Sequence, residues 1–75
     1  MQKLRAGVST SVQKLGASIH VCLSQDGECL VSVVGSKALN QAIKGIIVAR
    51  SLLLNDDHSD LVVQPNFVVV QQNNP

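Results

Sequence analysis

Seventy-five residues make one small domain, of a size at which only roughly 60% of the unfolded chain's surface can be buried. The composition is 45% hydrophobic but 1% aromatic, so the core must be built from Val, Ile, Leu and Ala, and a second copy is an obvious source of further burial. Six Lys and Arg against five Asp and Glu give a net charge of +1, which places the chain outside the strongly basic class of nucleic-acid binders, and no apolar run approaches the roughly 20 residues of a membrane span.

Gln2 to Val8 alternates charged Lys3 and Arg5 with apolar Leu4 and Ala6, the pattern of a half-exposed edge strand. Ser9, Thr10 and Ser11 then offer capping hydroxyls ahead of a helical pattern. Val12, Leu15, Ile19, Cys22 and Leu23 recur at spacings of three and four and share one helix face to about Ser24. Gln25-Asp26-Gly27 is a stop signal. Cys29 to Val34 is nearly all β-branched or apolar, which predicts a central strand covered on both faces.

Gly35 turns that strand into a second helix, running from about Ser36 to Leu53, with Leu39, Ala42, Ile43, Ile46, Ala49, Arg50 and Leu53 on one stripe and Ile47 and Val48 widening it. So wide an apolar face has more surface to hide than one sheet face takes up, and Ile47 and Val48 are the expected contact with a second copy. Gly45 in mid-helix reads as a point of close approach. Asn55 to Ser59 is an expected polar loop. Leu61-Val62-Val63 and Phe67-Val68-Val69-Val70 are β-prone, and Gln64-Pro65-Asn66 between them suits a tight turn or a bend in one strand. Residues 1–70 are therefore expected to form the domain and Gln71 to Pro75 a disordered polar tail.

Because a strand-helix-strand crossover joins parallel neighbours, the loops leaving the first two strands should lie side by side. That brings Ser9, Thr10 and Ser11 towards Ser36 and Lys37, and points two helix N-termini at one rim, where unpaired N–H groups and the helix dipoles favour an anion such as a phosphate. Lys37, Asn40, Gln41 and Lys44 continue the polar strip along the second helix. Such a strip is also what an ordinary solvated helix face looks like.

The run Gly35-Ser36-Lys37-Ala38-Leu39-Asn40-Gln41-Ala42-Ile43-Lys44, with Ser11-Val12 before it and Asp60-Leu61 and Pro65-Asn66-Phe67 after it, is similar to the stage V sporulation protein S family, which is related to the Alba chromatin proteins. The resemblance implies a two-layer α/β domain of order β-α-β-α-β-β, with two helices on one face of a mixed four-stranded sheet. Such domains are commonly dimeric and bind nucleic acid. By position, Lys37 takes the place of an Alba basic residue that faces DNA, and Asn40, Gln41 and Lys44 extend that strip. Two departures stand out. The loop after the first strand carries hydroxyls where Alba proteins often carry lysines, and the long hairpin arm between the last strands is missing.

Other constellations carry less. Cys22 and Cys29 do not have a zinc-knuckle spacing and Cys22 falls on the apolar stripe, so they read as structural cysteines of a reduced, cytoplasmic protein without a leader segment, and no metal site is expected. Nothing resembles an activated nucleophile or a carboxylate pair, so an enzyme, a cofactor and a small-molecule substrate are not expected. With no Trp or Tyr there is no stacking platform for single strands, which favours duplex backbone contact and DNA over RNA. The alternative is an assembly or regulatory module that contacts proteins and leaves nucleic acid alone.

Overall fold

The computed structural model describes residues 2–67. Their order is β1 (Gln2–Ala6), α1 (Val12–Asp26), β2 (Cys29–Val33) and α2 (Ser36–Leu52), continued by a π-helical turn at Leu53–Asp57. The strands pair in parallel, from Gln2 opposite Cys29 to Ala6 opposite Val33. Both helices lie on one face of this pair. Leu4 and Ala6 from β1, and Cys29, Val31 and Val33 from β2, meet Leu15, Ile19, Ala42 and Ala49 in the core, while Lys3, Arg5, Leu30 and Ser32 face outward.

Two expectations for the strands are corrected. Among the described residues β2 is not covered on both faces: its burial alternates, and Leu30 is 41% exposed. Leu61 to Val63 does not form a strand, and the described residues form a two-stranded parallel sheet in place of the four-stranded mixed one. The physical reason lies in the residues themselves. Asp60 takes the Leu61 N–H on its own carboxylate at 2.7 Å, Leu61 anchors on the core, and Val62 and Phe67 are left 95% and 100% exposed, with no neighbouring ladder among the described residues. Val68 to Val70 and the tail expected at 71–75 lie outside the described residues.

α1 starts and stops on the signals its sequence carries. The Ser11 hydroxyl accepts the Lys14 N–H at 3.3 Å, and Gly27, at φ 78°, donates its N–H to the Leu23 carbonyl at 2.8 Å. Its buried face is Leu15, Gly16, Ile19 and Cys22.

The buried face of α2 differs from the expected stripe. Ala38, Ala42, Gly45 and Ala49 are buried, whereas Leu39, Ile43 and Ile47 are 50%, 44% and 59% exposed. Close helix approach selects the small residues. A Cβ added at Gly45 would stand 2.7 Å from Leu15 Cδ2, and one at Gly16 would stand 2.6 Å from Val48 Cβ and 3.0 Å from the Gly45 carbonyl oxygen. The helices therefore touch backbone to backbone at these glycines, and the larger side chains of α2 are turned to its flanks.

The expected polar loop after α2 is also corrected: Leu53–Asp57 winds as a π turn, closed by His58 at φ 53° and by the Ser59 N–H on the Leu53 carbonyl at 3.1 Å. Polar contacts tie this turn down. Asp57 Oδ2 lies 3.1 Å from His20 Nε2 and accepts the Ser24 hydroxyl at 3.1 Å, both from α1. Asp60 accepts two bonds from Arg50, at 2.8 and 3.1 Å.

Candidate nucleic-acid interface

The parallel register sets the ends of β1 and β2 side by side, and the chain leaves both at the same edge. The loop after β1 and the start of α2 then meet: Gln41 Nε2 donates to the Thr10 carbonyl oxygen at 2.9 Å. Within the loop, the Thr10 hydroxyl accepts the Gly7 N–H at 2.7 Å and the Thr10 N–H bonds the Gly7 carbonyl at 3.2 Å, which fixes the turn that delivers Ser9 and Ser11 to the rim.

The two helix starts are not equivalent. α1 is capped by Ser11, so part of its donor capacity is used within the chain. α2 begins at Gly35, whose φ of 91° and ψ of 160° suit glycine, and which provides no side-chain cap. The first N–H groups of α2 therefore gain no bond from their cap residue, and this 17-residue helix presents its positive end at the rim.

Side-chain charge reinforces that field against the preference of the helices. Neither α1 nor α2 has an acidic residue in its first turn; Lys14 and Lys37 stand there instead, both exposed. The carboxylates Asp26, Asp56 and Asp57 gather where the two helices end. Cations at N-termini and anions at C-termini each cost a few tenths of a kcal/mol of helix stability. The exception, Arg50 in the last turn of α2, is held by Asp60, whose carboxyl is kept below the usual carboxylate range first by the Arg50 hydrogen bonds and then by the Leu61 N–H.

Of the residues singled out from the sequence, Ser9, Ser11, Ser36, Lys37, Asn40 and Lys44 are exposed. Lys37 and Lys44, seven positions apart, lie on one line of α2 with Asn40 beside it. Gln41 is not part of that exposed strip; it is half-buried and holds the loop through Thr10. Ile47 is exposed, whereas Val48 is half-buried against Gly16 of its own chain. Lys14 was missed, because it reads as a solvated helix residue until the parallel pairing brings the first turn of α1 beside that of α2. Among the described residues no group of three or more His, Cys, Asp or Glu could hold a metal ion, and no helix is long and apolar enough to cross a membrane.

The family described as stage V sporulation protein S matches the chain over residues 2–75. No curated protein matches it. The chain belongs to the stage V sporulation protein S family, a family of sporulation-related regulatory proteins.

Proposed function

We propose that this family member is a non-enzymatic, cytoplasmic regulator that binds nucleic acid through phosphates along the rim formed by Ser9, Thr10, Ser11, Ser36, Lys37, Asn40 and Lys44, with duplex DNA preferred and with Lys14 as a further cation. Gln41 positions the loop. The observation that carries the reading is the Gln41 to Thr10 bond across the parallel strand pair, which supports a single rim bearing an uncapped helix start and exposed lysines. Backbone contact of this kind reads shape and charge, so little base preference is expected. A homodimer forms through the flank of α2 that carries Ile47.

Fluorescence anisotropy with a labelled duplex tests the binding. Affinity should fall steeply as salt is added, with a log–log slope of about −0.9 for each phosphate neutralised. The Lys37→Glu, Lys44→Glu double variant should lose detectable duplex binding while keeping its helical circular dichroism. Absence of wild-type binding at low salt rejects the proposal.

A second reading has its own observation in the exposed Leu39, Ile43 and Ile47: a module that assembles with proteins, for which the lysines are incidental. The same double variant separates the two readings, since assembly would survive it unchanged.

A further inference from the structure

Cys22 and Cys29 are both free thiols, and they differ in access. Cys22 is fully buried on α1 and its Sγ lies 3.4 Å from the carbonyl oxygen of Glu28, the residue that precedes Cys29. Gly27, in its left-handed conformation, folds the chain back so that the end of α1 and the start of β2 are adjacent; Cys29 packs against the core from β2, near enough to Cys22 on the buried face of α1 for Cys22 to raise its pKa. Cys29 is half-buried and lines a cleft of about 880 Å³ whose other walls include Leu23, Leu53, Asp57, Asp60 and Leu61. Cys29 thus borders solvent at this cleft, whereas Cys22 is wholly buried.

We infer that Cys22 and Cys29 are a redox modification site, at which Cys29 takes up an external low-molecular-weight disulfide and Cys22 resolves it into an intramolecular disulfide. In the first step the Cys29 thiolate attacks one sulfur of RS–SR, the S–S bond breaks, and the departing thiolate takes up a proton as RSH. In the second step the Cys22 sulfur, giving up its proton, attacks the Cys29 sulfur and expels the second RSH. Two protein thiols are oxidised to one disulfide and one external disulfide is reduced to two thiols. The sulfurs must close to about 2.05 Å, and the turn between α1 and β2 is the segment that adjusts.

The exchange is slow at neutral pH. The Cys29 thiol is pushed up to about 12, first by burial, then by its hydrogen bond and charge interaction with Cys22, and last by the charge of Asp26. Glu28 adjoins it, Asp57 and Asp60 line the cleft with it, and β1 sets the uncharged Gln2 opposite; these neighbours are acidic or neutral and favour the protonated thiol. Below that value the thiolate fraction, and with it the rate, rises about tenfold per pH unit. The site therefore responds to sustained oxidation and not to a brief pulse.

The test incubates the full chain with oxidised glutathione, quenches with an alkylating agent in denaturant so that every remaining thiol reacts, and reads intact mass. Wild-type protein should become two hydrogen atoms lighter and take up no alkyl group, at a rate that climbs with pH. Its melting midpoint should rise by several degrees, as expected for closing a short loop. Cys22→Ser should stop at one glutathione on Cys29. Cys29→Ser should take up none, because the remaining thiol is buried, and it keeps the test decisive should Cys22→Ser not fold. Wild-type protein that stays doubly alkylatable, that holds glutathione without resolving it, or that links to a second copy by disulfide overturns the inference.

Discussion

Asp60 and Lys37 show what single residues contribute at the two ends of this molecule. Asp60 joins Arg50 and the Leu61 N–H, so its carboxyl ionises more readily in the folded chain than in the unfolded one. A depressed carboxyl contributes stability above its unfolded value, near 4, and that contribution is lost as pH falls through the folded value. Asp60→Asn should therefore lower the thermal midpoint at pH 7 and leave it nearly unchanged near pH 2, which a melting series against pH would record. Both partners are well exposed, so salt should shrink the difference. The exposure of Lys37 was legible in the sequence, because helical periodicity alone turns it from the core. The part played by Gln41 was not, because its carbonyl partner lies 31 positions away and only the crossover brings it near.

Helices and strands repeat this division. Start and stop signals placed α1 within a few residues, since Ser11 and Gly27 act on their immediate neighbours. The contact face of α2 was misread for a physical reason: periodicity finds the apolar stripe, but the distance between helix axes decides whether large or small residues fill it. Gly16 facing Val48, and Gly45 facing Leu15, set that distance. Gly16→Ala should destabilise the fold by about 1–3 kcal/mol through overpacking, as read from urea denaturation. Adding Val48→Ala should recover part of the loss, because it removes the side chain that the new methyl meets, although the Gly45 carbonyl stays close. Ala at both positions would be strictly additive if the helices did not touch there.

Across the whole molecule, charge is sorted by topology. Parallel strands joined by helices send both helix starts to one end and both helix ends to the other, so Lys14 and Lys37 share the rim while Asp26 and Asp57 share the far end. The outer flank of α2, with Ile43 and Ile47 exposed, is where a second copy is proposed to sit. Ile47→Asp should leave the monomer's circular dichroism intact, since the residue is 59% exposed, and weaken self-association at least tenfold in sedimentation velocity. A wild-type chain that stays monomeric at high concentration would remove the dimer from the proposal without touching the rim. Losing the dimer would halve the lysines on one duplex and lower affinity accordingly.

The sequence by itself determined the elements that rest on neighbours: a capped first helix, a glycine turn into a second, an alternating first strand and a valine-rich second one, and a family resemblance dense enough in Ala38 to Lys44 to be borne out over residues 2–75. Tertiary structure alone decided which side of α2 is buried, that Leu61 to Val63 stays unpaired among the described residues, that Leu53–Asp57 winds as a π turn gripped by His20 and Ser24, and that Cys29 opens on a cleft with Cys22 behind it. Local signals are written in backbone geometry over three or four residues, whereas these outcomes depend on contacts between segments tens of residues apart, whose distances no periodicity encodes.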